Sequence, residues 1–360
     1  MSASNKAVNR NIILTILISG LAAFIVYFYF FINPVQVLEI LSRTNKPIYS
    51  GAFVSYFLFT VFSALVWREL LSNLTVKISL RKTLLFTWVG LFFEAVVPQL
   101  GWSGEISKTY LLSKDSKADA VKIGASVVGQ KIFTITMTNI ALSIGLGLLL
   151  VSYPLPLADS FFFSLVLALS ILSLTVIFYV SIKPTATKTL LNWGIRIALF
   201  YRREWNPQNF QSKTEGFLGR FHSGIKHLVE NPKSLVKPLF FAVASFIFEV
   251  SVLSLSFIAL GYSVPIDKVL IVFTLAGTLQ TVGLTMFGFT EIVMTSILTF
   301  LGIPVDLSFS VTLLARIVTL WFRLIVSYIA LQWTGIRLIT KTQTSNPPDA
   351  SLCKRKNVAF

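Results

Sequence analysis

The chain has 360 residues, 54% of them hydrophobic and 13% charged, with a mean hydropathy of +0.76. Soluble domains carry nearly twice that charged fraction, and here the apolar residues run in membrane-length blocks, so an integral membrane protein is indicated and a soluble one excluded. The net charge of +16 gathers at 68–82, 108–122, 183–237 and after Arg337; bases that flank apolar blocks set topology and meet anionic headgroups, so no nucleic-acid partner is expected.

Taken in chain order, the first apolar block is Ile12–Ile32, which follows Lys6 and Arg10. It is longer than a signal-peptide apolar region and has no small-residue cleavage site, so it reads as an uncleaved first span. Further full-length blocks are Ile48–Val66, Val121–Val151, Phe161–Ile182, Leu239–Leu260 and Phe309–Trp333. Two apolar regions are broken: Thr83–Leu112 at Pro98–Gly104, and Val269–Leu301 near Gly283–Gly288. Between the halves, 184–236 is basic with helically spaced apolar residues, which reads as an amphipathic connector in the cytoplasmic interface. It contains His222 and His227, the only histidines, which are expected to be solvated. The tail 341–360, with Pro347-Pro348 and a Lys354-Arg355-Lys356 run, reads as disordered and basic.

The positive-inside rule arbitrates how the broken regions run. An ordinary span at Thr83–Val97 would put the Lys108–Lys122 cluster outside and the chargeless loop near Pro154–Pro156 inside. A hairpin that enters and leaves from the cytoplasmic side puts every basic cluster inside, and a second hairpin at Val269–Leu301 from the opposite side keeps the C-terminal tail inside too. The predicted fold is therefore all-α and polytopic: six full transmembrane helices plus two short re-entrant hairpins, with a plain eight-span arrangement as the alternative. One membrane domain, 1–340, divides into 1–183 and 237–340 around the connector. Opposed re-entrant elements suggest an inverted repeat of the transporter kind.

Eight charges fall inside the apolar regions: Glu94, Glu105, Lys108, Lys131, Glu249, Glu291, Arg316 and Arg323. A charge at the bilayer centre costs roughly 2.5–3.5 kcal/mol on insertion scales, so each needs a partner or a polar cavity. Polar stripes accompany them. Ser126, Gln130, Thr134 and Thr138 recur beside Lys131; Ser245, Glu249 and Ser256 share a face; so do Thr312, Arg316, Thr319 and Arg323. Glu105 and Lys108 lie just behind the first break and Glu291 holds the matching place behind the second, where half-helix ends collect. Lys131 and Glu249 are candidates for a mutual ion pair. No Cys/His pair, metal-ligand spacing or phosphate-cradling Gly-rich loop occurs, so no cofactor, metal or enzymatic activity is expected.

These residues resemble a family. PQLGWSGEISKTYLL (98–112) is similar to the N-x-x-x-P-x-x-x-G-E-x-x-R-x-x-L-L pattern of the lysylphosphatidylglycerol synthase transmembrane region, the flippase-like membrane proteins. VVGQKIFTI (127–135) stands where those proteins carry Glu-Arg. GLTMFGFTEIVMTSILTFLGIP (283–304) resembles their P-G-G-x-G-x-x-E stretch, and LLARIVTLWFRLIVSYIAL (313–331) their Arg-containing last span. The resemblance implies transport or presentation of an anionic lipid or a lipid-linked sugar, with Glu105, Glu291 and Arg316 carried over directly. Lys108 replaces an Arg, Gln130-Lys131 replaces Glu-Arg, and the Pro-Gly-Gly is thinned to Thr285–Gly288. Lys keeps the charge but loses the bidentate fork that suits phosphate. Larger members add a soluble aminoacyl-transferase domain, which is not expected in this chain.

The sequence thus predicts a flippase-like protein of the cell membrane, with cytoplasmic termini, that moves an anionic lipid or polyprenyl-phosphate-linked substrate. Candidate site residues are Glu105, Lys108, Glu291, Arg316, Arg323, Lys131 and Glu249. A small-solute or ion transporter, or a non-transporting partner of a membrane glycosyl- or aminoacyl-transferase, are the alternatives.

Overall fold

A computed structural model describes residues 34–96, 102–116, 120–154, 156–183, 232–281 and 288–345. The first predicted span, the amphipathic connector up to residue 231 and the tail from 346 lie outside the described residues. What is described is helical: α1 Pro34–Ser42, α2 Lys46–Asn73, α3 Leu80–Val96, α4 Ser103–Ser116, α5 Ala120–Ser152, α6 Leu157–Ile182, α7 Pro232–Ala259, α8 Ile266–Thr281, α9 Phe289–Phe300, α10 Val305–Arg316 and α11 Arg323–Ser345. A π-helical segment, Ile317–Phe322, joins α10 to α11. The last helix runs through Ser345, five residues into the stretch expected to be disordered.

Among the described residues, four helices are long and apolar enough to cross a bilayer: those at 46–73, 122–152, 233–259 and 305–334. Helix α6, at 26 residues, has the length as well. It packs mainly on α5 and leaves Phe161, Leu165, Leu169, Leu172 and Val176 exposed, as a lipid-facing helix should.

The two centre helices, α2 and α7, form the most extensive contact of the bundle and run antiparallel. Asn45 N donates to Ala259 O, Ser55 Oγ to Phe248 O, Ser245 Oγ to Phe59 O, and Asn73 Nδ2 to Ser234 O. Residue numbers rise along α2 as they fall along α7, so the C-terminal ends of these helices lie at opposite ends of the bundle. Each leads directly into a broken region, and the two broken regions therefore enter from opposite sides.

Both broken regions are helical hairpins. At the mouth of the first, Lys82 in the first turn of α3 bonds Asp115 near the end of α4, Nζ to Oδ2, at 2.7 Å. At the mouth of the second, Lys268 in the first turn of α8 donates to Leu301 O, just past α9, at 2.7 Å. The arms are 17 and 14 residues in one hairpin, 16 and 12 in the other. At about 1.5 Å per residue every arm falls short of a hydrocarbon core roughly 30 Å thick. The arms of the first hairpin touch backbone to backbone: a Cβ on Gly104 would stand 2.6 Å from Gly90 O, so glycine is what lets them close.

The halves match with a fixed offset of 186 residues. Lys46 and Pro232 open the centre helices, Leu80 and Ile266 the first arms, Ser103 and Phe289 the second arms. Lys82 and Lys268 at the mouths keep the same offset, as do their partners Asp115 and Leu301. Packing is reciprocal as well: α3 of the first hairpin lies on α11 of the second half, and α8 of the second hairpin lies on α5 of the first. The inverted repeat that the opposed hairpins suggested is present in the fold.

Among the described residues the buried apolar side chains form five clusters. One cluster joins the C-terminal half of α5 to α7–α10 through Leu146, Phe257, Ile271, Leu298 and Val311. A second, more aromatic one packs Tyr56, Trp88 and Phe322 where α2, α3 and the π segment meet.

Candidate functional site

The intramembrane charges fall into two groups, one at each hairpin. In the second hairpin, α9 is preceded by its N-cap Gly288, whose φ of +95° is a left-handed conformation suited to glycine. Three residues on, Glu291 folds back so that its Oε2 accepts the Gly288 N–H at 2.8 Å. That is the reaching-back half of a capping box, and it places a carboxylate at the positive end of a half-helix. The other oxygen, Oε1, accepts from Arg316 Nε at 2.7 Å. Both side chains are more than nine-tenths buried. One turn further along, Thr295 and Thr312 are 3.5 Å apart, which fixes α9 and α10 as antiparallel.

In the first hairpin, Glu105 occupies the corresponding place in the first turn of α4. Its Oε1 lies 3.4 Å from Lys131 Nζ, and its Oε2 is buried without a hydrogen-bond partner. Lys131 is eleven residues into α5 and Arg316 eleven residues into α10. Each repeat therefore carries a glutamate at the inner end of its hairpin, paired with a cation at the same depth on the following helix. The sequence expectation that Lys131 would pair with Glu249 is corrected: the ion pair goes to Glu105, because α4 lies on α5 and brings its first turn there.

Lys108, one turn beyond Glu105, is also buried. Its Nζ donates to Gln130 Oε1 at 3.2 Å and stands 5.5 Å from the centre of the Trp67 ring. Its stem passes over Gly90, where a Cβ would come within 2.9 Å of Lys108 Cγ. Gln130 is held in turn by donating to Ser63 O and Ser63 Oγ. The upper part of the predicted stripe on α5 thus faces inward, with Ser126 accepting from Trp67 Nε1 at 3.0 Å. Its lower part does not: Thr134 and Thr138 bond back to their own helix at Gln130 O and Thr134 O.

Glu249 and Arg323 complete the first group. Glu249 lies within electrostatic reach of Glu94 on α3, Arg323 on α11 and Lys131 on α5. Arg323 sits beside the Tyr56 hydroxyl of α2, and its Nε is buried without a partner. The single face expected for Thr312, Arg316, Thr319 and Arg323 is broken. The π segment between the two arginines has wider i→i+5 turns and rotates Arg323 away from the Arg316 face. Arg316 consequently serves the second hairpin and Arg323 the first group. Glu94, one arm before the break and without a counterpart in the family pattern, acts on Lys108, Glu249 and Tyr56 and so belongs to the group. Tyr56 had no sequence signal, since an aromatic in an apolar span looks like core.

The result is one cluster of Glu94, Glu105, Glu249, Lys108, Lys131 and Arg323, three acids against three bases, and one separate pair, Glu291–Arg316. Chemically, two of these cations, Lys131 and Arg316, are each paired with a carboxylate inside the bundle, and a cation so placed is one that an anionic group could also engage.

Fold and site together define a polytopic α-helical membrane protein built as an inverted repeat around paired intramembrane charges. The chain belongs to the family described as the lysylphosphatidylglycerol synthase TM region, whose model matches residues 12–327. It is similar to a UPF0104 membrane protein of Methanocaldococcus jannaschii, 24% identical over 321 residues, covering 88% of this chain and 94% of that one. A UPF0104 membrane protein of Methanothermobacter thermautotrophicus is 21% identical over 334 residues, covering 90% and 95%. No solved structure matches the chain.

Proposed function

We propose that this protein is a carrier, not an enzyme, that binds an anionic lipid or a polyprenyl-phosphate-linked sugar and moves it across the cell membrane. The observation that carries this reading is the inverted pair of hairpins, each ending in a glutamate–cation pair at equal depth. Inverted repeats with broken helices at the midplane are the architecture of alternating access, in which one repeat opens as the other closes. A headgroup phosphate would compete with Glu105 for Lys131 and Lys108 when the first hairpin opens, and with Glu291 for Arg316 when the second does. A lysine ammonium donates to phosphate as a point charge and Arg316 adds a planar fork, so the two stations need not bind equally.

Charge supports one orientation. The bundle end that carries Asn73 and Ser234 also carries Lys77, Arg81, Lys82, Lys114, Lys122, Lys233 and Lys237, which favours the cytoplasmic side for the first hairpin's mouth. The second mouth would then face outward, and both termini the cytoplasm. Membership in the lysylphosphatidylglycerol synthase TM region family supports a lipid over a small solute.

The test is transport in reconstituted liposomes of a fluorescently labelled phosphatidylglycerol. Wild-type protein should exchange the label between leaflets, and Arg316→Ala and Glu105→Gln should abolish the exchange. Wild-type rates in both variants would refute the residue assignment. No exchange by the wild-type protein would refute lipid transport.

A further inference from the structure

The two lysines at membrane depth are held in different ways. Lys131 has Glu105 at 3.4 Å, whereas Lys108 Nζ makes one hydrogen bond to a described residue, to the neutral Gln130 Oε1 at 3.2 Å. Glu105, one turn back along α4, and Glu94 of α3 act on Lys108 through space, and among the described residues no carboxylate comes within ion-pair distance of it. An ammonium has three donors, and burying one without an acid in contact is costly. The neighbours of Lys108 keep it in that condition.

Gln130 is buried and its side chain is engaged at both ends. Its Nε2 donates to Ser63 O at 3.0 Å and to Ser63 Oγ at 2.9 Å, and a backbone carbonyl can only accept. The amide nitrogen is therefore fixed on the α2 side and the amide oxygen on the Lys108 side. A side chain that links Ser63 O to an ammonium must donate at one end and accept at the other, which a neutral amide does. A glutamate there would neutralise Lys108 and set oxygen against oxygen at Ser63 O. On the other flank, Trp67 presents its ring 5.5 Å from Nζ and is itself held, Nε1 donating to Ser126 Oγ, which donates on to Ile123 O at 2.7 Å. Behind, the Lys108 stem lies against Gly90. Lys108 is thus aimed by an amide, an aromatic face and a glycine, and none of the three carries charge.

We infer that Gln130 is a positioning residue of the anion site: it aims Lys108 and leaves it without a carboxylate, so that a headgroup phosphate engages Lys108 before it displaces Glu105 from Lys131. The phosphate takes up the Nζ donors that Gln130 leaves unspent, and no ion pair has to break for that first contact. This inference rests on the lipid-carrier reading above. It adds an order of contacts at the first station, Lys108 and then Lys131, that the closed Glu291–Arg316 pair of the second station does not offer.

The experiment uses the full chain in phosphatidylcholine liposomes in which the fraction of labelled phosphatidylglycerol is varied, so that half-saturation and maximal exchange are read separately. Gln130→Glu should raise the half-saturating fraction about tenfold, the worth of one charge-assisted hydrogen bond, with maximal exchange largely kept. Gln130→Met, similar in length and neutral, should raise it severalfold, since Lys108 keeps its charge and loses its aim. Lys108→Ala should raise it at least as far as Gln130→Glu does, and adding Gln130→Glu to Lys108→Ala should raise it no further. Half-saturation unchanged in both Gln130 variants, with lower maximal exchange and a lower melting temperature, would make Gln130 merely structural and overturn the inference. So would an effect of Gln130→Glu that persists in the Lys108→Ala chain. Titration of the purified protein with inorganic phosphate separates this inference from the carrier reading. Phosphate binding that Gln130→Glu weakens, in a wild-type protein that exchanges no lipid, would overturn lipid transport and leave the role of Gln130 standing. Neither exchange nor phosphate binding would overturn both.

Discussion

Arg316 Nε donates to Glu291 Oε1 at 2.7 Å, across the gap between the second hairpin and the last span, with both side chains buried. Removing one member leaves the other as an unpaired charge inside the bundle, which typically costs about 3–5 kcal/mol. Arg316→Ala should therefore lower the thermal stability of the purified protein clearly. Glu291→Gln should cost stability as well, because a glutamine oxygen can accept from Arg316 or from the Gly288 N–H but not from both, and Arg316 is left without a counter-charge. Thermal unfolding in detergent reads both, and an Arg316→Ala protein as stable as wild type would show that the pair contributes little.

Glu105 and Lys131 stand in the corresponding place but at 3.4 Å, and the second Glu105 oxygen is unpartnered. This looser pair should open more readily. Lys131→Ala is expected to destabilise by less than Arg316→Ala, and Lys131→Arg to keep transport, since arginine restores a cation whose fork suits both carboxylate and phosphate. The check is a side-by-side measurement of melting temperature and lipid exchange in the three variants. Equal losses of stability at the two positions would mean that the repeats are not asymmetric in this way.

Much of this was legible in the residues, and the exceptions have physical causes. The hairpins were visible because Pro98–Gly104 and Gly283–Gly288 interrupt apolar runs too short to cross, and because charged loops constrain which side each run returns to. The match of Glu105 with Glu291 was visible from their places behind those breaks. The match of Lys131 with Arg316 was not, because it appears only once each cation is counted from the start of its helix. The pairing of Lys131 depended on which helix α4 lies against, which no local pattern encodes. The π segment is invisible to a periodicity argument that assumes 3.6 residues per turn, so Arg323 was placed on the wrong face. The mouth bonds of Lys82 and Lys268 were missed because a lysine at a helix start reads as solvated.

The close approach of Gly90 and Gly104 gives a sharper mechanical prediction. A Cβ at Gly104 would meet Gly90 O at 2.6 Å, backbone that cannot rotate aside. Gly104→Ala should force the hairpin arms apart and destabilise by at least the ~1–3 kcal/mol typical of overpacking. It should also disturb Glu105 next to it. At Gly90 a Cβ meets the flexible Lys108 stem at 2.9 Å and Gly104 O at 3.1 Å, so Gly90→Ala should cost less and act mainly by shifting Lys108. Circular-dichroism melts of the two variants test the order. A Gly104→Ala protein that melts with wild type would mean the arms are not in backbone contact.

The re-entrant topology can be checked without any assumption about substrate. If both mouths are closed as the Lys82–Asp115 and Lys268–Leu301 bonds show, residues on either side of one hairpin lie on the same face of the membrane. In a variant whose Cys353 is replaced by serine, single cysteines at Ser79 and Ser116 should both react with a membrane-impermeant thiol reagent from one side. Single cysteines at Ser263 and Thr299, which flank the other mouth, should both react from the opposite side only. All four positions are exposed at the ends of the bundle, so access is not limited by packing. The antiparallel run of α2 against α7 requires the two pairs to differ in sidedness, because each hairpin follows the C-terminal end of one of those helices. If Ser79 and Ser116 label from opposite sides, the region crosses the membrane, and the inverted-hairpin site with its Glu105 and Glu291 stations falls with it.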